Sequence, residues 1–147
     1  MTLTDRRPPF RFAYRTRVGF DETDAQGIVY YGRYMPYFDR ARVEYQRHLG
    51  LLIREPNDPE FVMRAQSVEY HAPARFDDEL EVFVRVARIG RTSLGWEFAA
   101  YNVGTGDRLA TAQQTLVQVD LARRKPLAVD PRVVEAVSQF ELHLEKA

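Results

Sequence analysis

The sequence predicts an α+β fold in which an antiparallel β-sheet carries one long helix on its inner face. Three observations lead there. One stretch holds a sustained helical period, with Tyr34, Phe38, Ala41, Tyr45 and Leu49 at steps of four, three, four and four. Most of the chain after Phe61 instead alternates apolar and polar residues at period two. The alternating segments are joined by short turns, Gly90-Arg91 and Gly104-Thr105-Gly106-Asp107, which favour antiparallel neighbours.

Taken in order, Phe10, Phe12, Tyr14, Val18 and Phe20 alternate with Arg11, Arg15, Arg17 and Gly19, the pattern of a half-buried strand. An acidic turn ends it. The helix from Tyr34 to Leu49 is 16 residues, or roughly 24 Å. Its proline, Pro36, falls in the first turn, where a missing N–H costs little, and Gly50 stands where a left-handed cap ends a helix. Pro56, Asn57, Asp58 and Pro59 mark a loop. Strands follow over Phe61 to Tyr70, around Leu80 to Val86, from Leu94 to Ala100 with Trp96 and Phe98, and from Leu109 to Val119. Arg123-Arg124-Lys125-Pro126 closes the sheet. Asp130 then caps a short helix beginning at Pro131, with Val133, Val134 and Val137 on its apolar side.

Composition narrows the function classes. The 147 residues fit one domain spanning 1–147, and a 45% hydrophobic content suits a globular core. Twenty-one basic residues balance twenty-one acidic ones, which argues against nucleic-acid or membrane-surface binding. The absence of cysteine excludes disulfides, thiolate nucleophiles and cysteine-bound zinc. The first residues lack the apolar run of a signal peptide, and no stretch approaches the ~18 apolar residues of a membrane span. A cytoplasmic location is the expectation.

The chemistry gathers just before the long helix, in Asp21-Glu22-Thr23-Asp24-Ala25-Gln26-Gly27-Ile28-Val29-Tyr30-Tyr31-Gly32-Arg33-Tyr34. Asp24 has two readings. One is a turn or N-cap aspartate among turn formers. The other is a catalytic carboxylate near a helix N-terminus with free backbone N–H groups beside it. Spacing by itself favours the first, because caps outnumber catalytic carboxylates. Asp21 and Glu22 read as solvated turn residues.

Thr23-Asp24-Ala25-Gln26-Gly27-Ile28-Val29-Tyr30, followed by Tyr34, resembles the signature of the 4-hydroxybenzoyl-CoA thioesterase family of hotdog-fold proteins. The likeness continues through Ala41-Arg42-Val43-Glu44, Tyr70-His71-Ala72-Pro73-Ala74-Arg75-Phe76-Asp77-Asp78-Glu79-Leu80, Ile89-Gly90-Arg91-Thr92-Ser93 and Leu116-Val117-Gln118-Val119-Asp120. It runs from about Phe12 to Lys125. The resemblance implies a hotdog fold, with a curved antiparallel sheet wrapped around the central helix. It also implies hydrolysis of acyl-CoA thioesters without metal or other cofactor, by homodimers or tetramers of dimers whose sites lie between subunits. Asp24 matches the family's catalytic aspartate, and Tyr31 the helix-start position whose backbone N–H polarises the thioester carbonyl. Gly27, Arg33, Tyr34 and Phe38 fall around the substrate.

Such a site is physically coherent. Helix N-terminal N–H groups are oriented to receive the charge that builds on an acyl oxygen. The same partial positive charge favours an ionised carboxylate nearby. A thiolate leaves readily, thiols having a pKa of roughly 8.5, so no strong general acid is required. The chain departs from many relatives in having Tyr31 where they carry histidine and Arg33 where they carry a small polar residue. A backbone role tolerates the first change; the second puts a bulky cation at the pocket rim.

Arg88 and Arg91, with Arg123, Arg124 and Lys125, sit at predicted strand ends and suit the phosphates of CoA, although solvated charge is the simpler reading of any one of them. Glu44 is the second-choice carboxylate, since a distinct hotdog subfamily uses a helix glutamate. The scattered His48, His71 and His143 do not suggest a metal site. Two rivals remain: a hotdog hydratase or dehydratase, which would want a histidine near the Asp24 motif, and a non-catalytic acyl-CoA or lipid-binding module, which would have no need of Asp24.

Overall fold

Strand pairing runs β1-β2-β4-β5-β6-β3, antiparallel at every step, in a computed structural model that describes residues 2–52, 55 and 58–145. The strands are β1 (Thr2–Leu3), β2 (Phe12–Arg17), β3 (Phe61–Tyr70), β4 (Glu79–Ile89), β5 (Ser93–Asn102), β6 (Arg108–Asp120) and β7 (Lys125–Pro126), the last paired with β6. The helices are α1 (Tyr34–His48) and α2 (Pro131–Phe140). The predicted α+β class holds, with a curled sheet around a central helix. Pro56 and Asn57 of the predicted loop lie outside the described residues. Among those described, no helix is long and apolar enough to cross a membrane.

The core lies between α1 and the inner face of the sheet. Tyr34, Tyr37, Phe38, Ala41 and Tyr45 are buried, so the predicted stripe gains Tyr37 and is wider than a step-of-four reading suggests. They meet Leu80, Val82, Val84 and Val86 of β4 and Leu94, Trp96, Phe98 and Ala100 of β5. The inward residues of β6 are Ala110, Ala112, Gln114 and Leu116, each directly opposite an inward residue of β5. Of the more visible period-two set, Leu109, Thr111, Gln113, Thr115, Val117 and Val119, the residues from Thr111 on are therefore the outer ones, while Leu109 at its start is buried in the core. Small alanines leave room for the aromatic side of the helix, as Phe38 against Phe98 at 5.1 Å between ring centroids shows.

Gly50 ends α1 as predicted. It has φ +72°, its N–H donates to the Arg47 carbonyl, and the Leu51 N–H donates to that of Gln46, a Schellman arrangement. The first strand is shorter than its alternation suggests: Phe20 lies beyond it, in a 3₁₀ turn, and is 78% exposed.

The turns at Gly90-Arg91 and Gly104-Thr105-Gly106-Asp107 join antiparallel neighbours as expected, but β3 and β4 are not neighbours: β3 pairs with β6 at one side of the sheet while β4 pairs with β2 and β5. The link 71–78, with Asp77 in the left-handed region at φ +67°, carries the chain between these positions. In crossing, it buries Ala74 and gives the loop ahead of α1 a backbone partner: the Val29 N–H donates to the Ala74 carbonyl at 2.8 Å, and Ile28 bridges Arg75. The crossing connection thus helps build the candidate site.

The far end of α1 is fixed by the C-terminal segment. Asp130 caps α2 by accepting from the Arg132 N–H at 2.8 Å, and Val133 and Val137 are buried. Just past α2, buried Glu141 accepts from the Tyr45 hydroxyl at 2.6 Å and the Val86 N–H at 3.2 Å, while its Oε1 is buried with no partner among the described residues. Burial raises the Glu141 pKa above the ordinary 4.5, against the opposing hydrogen bonds and the Arg85 and Arg11 charges. The folded protein therefore holds this proton more tightly than the unfolded chain. That contribution to stability is fully present below the unfolded value and is lost as pH rises through the folded one. In urea unfolding at a series of pH values, the stability of wild type relative to Glu141→Gln is expected to decline as pH rises from about 4.5. A pH-independent difference would contradict the assignment.

Candidate active site at the start of the long helix

The loop between β2 and α1 is a folded unit. Its entry is tied to the β3–β4 link by reciprocal bonds, Val18 N–H to the Asp78 carbonyl at 3.0 Å and Asp77 N–H to the Val18 carbonyl at 2.9 Å. Glu22 is not the solvated turn residue expected. Its Oε1 accepts from the Gly19 N–H and from the Tyr37 hydroxyl, both at 2.7 Å, which staples the loop to α1.

A tight hairpin follows. The Asp24 N–H donates to the Ile28 carbonyl and the Gly27 N–H to the Asp24 carbonyl, each at 2.9 Å, while Thr23 bridges Val29. Gly27 has φ +79°, the left-handed residue that closes such a turn, which explains the glycine without any ligand contact. Asp24 Oδ1 accepts from the Gln26 N–H at 2.8 Å, an Asx turn that fixes the side chain in one orientation. Part of the structural reading of Asp24 is therefore correct: it forms a turn. It is not a helix N-cap, for Tyr30 and Arg33 occupy the N-cap positions of the two helical segments that follow and neither makes a side-chain cap bond.

The chain then rises through Tyr30, whose N–H donates to the Glu22 carbonyl at 2.9 Å, into a 3₁₀ turn at Tyr31–Arg33 that runs directly into α1. Neither first turn contains an acidic residue. Among the described residues, the Tyr31 and Gly32 N–H groups have no acceptor. This is the orphan-donor end of a helix, with the dipole that favours negative charge. The Tyr30 hydroxyl is held above its ordinary pKa first by its hydrogen bond with Tyr31, and in smaller part by the Asp24 charge.

Aromatic rings surround this point. Tyr31 is 62% exposed, with its ring 4.4 Å from that of Tyr30 and 6.3 Å from that of Tyr70. Tyr34 is buried beneath them, 5.6 Å from Tyr70, and burial pushes its phenol up to about 12, with Tyr70 and Asp78 contributing. Phe38 lies a turn deeper in the core. Tyr70, at the end of β3, donates its hydroxyl to the Tyr31 carbonyl at 3.1 Å. In the sequence Tyr70 only opens a motif, with nothing local to signal this contact.

Of the residues singled out, Asp24, Gly27, Tyr31, Arg33 and Tyr34 come together on one loop and helix start. Arg88 and Arg91 do not. They lie at the opposite end of β4, on the order of 30 Å along the strand from Glu79, which pairs with Arg17 at the loop's entry. Arg88 is exposed and bridges Glu145 of the C-terminal segment. Glu44 pairs with Arg47 one turn on, as an ion-pair role predicts. Arg42, its helical neighbour, donates to Gln114 Oε1 at 2.7 Å, and Gln114 Nε2 donates to Gln66 Oε1 at 3.2 Å, a polar track crossing from α1 to β3. Among the described residues no cluster of three or more histidine, aspartate or glutamate side chains has metal-binding geometry.

Comparison with known proteins agrees with this architecture. The model of the thioesterase-like superfamily matches residues 18–137. The acyl-CoA thioester hydrolase YbgC of Escherichia coli O157:H7 is 34% identical over 130 residues, covering 87% of this chain and 96% of that protein. A crystal structure from Aquifex aeolicus superposes with a TM-score of 0.78 at 30% identity, covering 86% of this chain and 98% of that one. A thioesterase from Thermus thermophilus, crystallised with coenzyme A and zinc, gives a TM-score of 0.75 at 25% identity, covering 87% and 98%. The matched span holds the β2–α1 loop, α1, every strand from β3 to β7 and the first seven residues of α2, and the chain belongs to the thioesterase-like superfamily.

Proposed function

We propose that this protein hydrolyses acyl-CoA thioesters at the start of α1, with Asp24 as the reacting carboxylate and the helix-start N–H groups as the oxyanion site. The observation that carries this reading is the pairing of a fixed carboxylate with unpartnered helix N-terminal donors on one short loop. The relationship to an acyl-CoA thioester hydrolase over nearly the whole chain supports the substrate class.

The thioester carbonyl accepts from the helix start, and the donors strengthen their hold as its oxygen becomes an alkoxide. Asp24 serves in one of two ways. As base it takes a proton from water, whose oxygen forms the new C–O bond. As nucleophile it forms a mixed anhydride that water then cleaves. In both, the C–S bond breaks, the sulfur leaves as thiolate, and the products are a free acid and CoA. A single turnover in ¹⁸O-water tests the nucleophile route, since label enters the Asp24 side chain only when an anhydride forms and water attacks its aspartyl carbon.

The working unit is a dimer of this chain. β3 is a ten-residue strand bonded on one side to β6 and, among the described residues, to nothing on the other, and most of its residues are exposed on both faces. A free edge of that length is a template for a second strand. Antiparallel self-pairing sets the partner's Phe61 end beside Tyr70. Phe61 lies at the Arg91 end of the sheet, since it pairs with Gln118, whose N–H donates to the Thr92 carbonyl. The partner's Arg88 and Arg91 then approach the helix start that is remote from their own Asp24, which restores the CoA-phosphate role within a dimer.

The test is free-thiol release from acetyl-, butyryl-, benzoyl- and palmitoyl-CoA, with product analysis on crotonyl-CoA. Hydrolysis of at least one thioester supports the reading. Binding without turnover favours a non-catalytic module, and hydration of crotonyl-CoA favours a hydratase.

A further inference from the structure

We infer that Tyr70 is a positioning residue for the oxyanion donor, holding the Tyr31–Gly32 peptide so that the Gly32 N–H, alongside that of Tyr31, faces the reacting carbonyl. The inference rests on the thioesterase reading and goes beyond it by naming a residue from β3 that acts on the helix start.

The argument begins with the peptide group. The Tyr31 carbonyl accepts twice, from the Tyr34 N–H inside the 3₁₀ turn and from the Tyr70 hydroxyl at 3.1 Å. In a trans peptide the C=O and the following N–H point in opposite directions within one plane. Two donors on the oxygen therefore fix where the Gly32 N–H points, and that N–H has no acceptor among the described residues. Hydrogen bonds to a carbonyl also polarise the N–H on the same amide, making it a better donor. The Tyr34 bond is ordinary helix geometry. The Tyr70 bond is an addition from another element.

Two features support the assignment. A Cβ on Gly32 would stand 2.9 Å from a ring carbon of Tyr30, so glycine lets that ring lie directly against the peptide on one side. Tyr70 is itself wedged, its ring edge-on to Tyr31 at 6.3 Å and to Tyr34 at 5.6 Å, although 48% of the residue is exposed. Burial, with Tyr31 beside it, holds its hydroxyl above the ordinary phenol pKa. A tyrosine needed only for packing has no reason to aim its hydroxyl at this carbonyl.

Tyr70→Phe keeps the ring and removes the bond. Because the effect passes through a second group, the expected loss of kcat is about tenfold, smaller than for deleting a direct oxyanion donor, with KM changed by less than about twofold. The second readout is the carbonyl stretch of bound substrate, ¹³C-labelled at the thioester, by Raman difference spectroscopy in the Asp24→Asn background. The substrate is whichever member of the acyl-CoA panel has the highest kcat/KM. Its carbonyl band falls to lower frequency on binding, and the fall is expected to be smaller once Tyr70→Phe is added. A purely structural tyrosine would leave that frequency alone. If the wild type hydrolyses thioesters while Tyr70→Phe keeps both kcat and the carbonyl frequency, the inference is overturned and the thioesterase reading stands. If the wild type hydrolyses none, both fall.

Discussion

Asp24→Asn is expected to lower kcat for acyl-CoA hydrolysis by about 10²- to 10⁴-fold, the range contributed by a positioned acid or base, while the protein keeps its fold. The expectation is sharp because Asp24 has a structural task too. Its Oδ1 accepts from the Gln26 N–H, closing the turn that carries the site. Asparagine retains that acceptor and the turn preference, and lacks only the charge and basicity. Asp24→Ala loses both functions and should in addition cost about 0.5–1.5 kcal/mol of stability for the missing bond. If Asp24 were only a turn former, Asn would resemble wild type and Ala alone would be impaired. If it is the reacting carboxylate, Asn and Ala are equally inactive and differ only in unfolding midpoint. Parallel kinetics and urea titrations of the three proteins therefore separate the two readings of this residue that spacing left open.

How much of this was legible in the sequence depended on whether a signal was local. The helix was readable because its period, Pro36 and Gly50 all fall within one segment and agree. The route of β3 was not. Its turn chemistry describes only the ends of the strand, whereas pairing with β6 is decided by how the sheet closes around α1. β4 shows the same limit from another side. Glu81 and Arg85 look like the solvent face of an alternating strand, yet both are buried, because Arg6 of the N-terminal segment bonds Glu81 and the His143 carbonyl in the C-terminal segment accepts from Arg85. The short β1 and β7 carry no periodicity at all and exist only as additions to longer neighbours.

The candidate site divides in the same way. Asp24, Gly27 and Tyr31 were visible because one loop contains them. Glu22 and Tyr70 were not, since their partners, Tyr37 and the Tyr31 carbonyl, are 15 and 39 residues away. A glutamate in an acidic turn gives no sign that a helix tyrosine will meet it. Arg88 and Arg91 were legible as cations but not as neighbours of the site, because within one chain the length of β4 intervenes. In the proposed dimer, a second copy brings them round.

The proposed dimer can be tested without unmaking the sheet. In β3 the residues whose backbone groups face β6 follow from His71, whose N–H donates to the Leu109 carbonyl, and from the antiparallel register Glu69↔Thr111 and Ser67↔Gln113. Alternation then turns the N–H groups of Gln66, Val68 and Tyr70 to the free edge. Proline at position 68 removes an outward donor and leaves the β3–β6 ladder intact, the edge situation in which strand proline is tolerated. Val68→Pro is therefore expected to elute as a monomer in size-exclusion chromatography with light scattering, to retain its far-ultraviolet circular dichroism, and to lose at least about a hundredfold in kcat/KM. Much of that loss would lie in KM, because the partner's Arg88 and Arg91 no longer reach the CoA phosphates, each such charged contact being worth about 1.5–3 kcal/mol. The control is Val68→Ala, which trims the same partly buried side chain but keeps the backbone donor, and should leave both assembly and turnover unchanged. A Val68→Pro dimer with wild-type activity would overturn β3 self-pairing, and a fully active monomer would overturn the shared site.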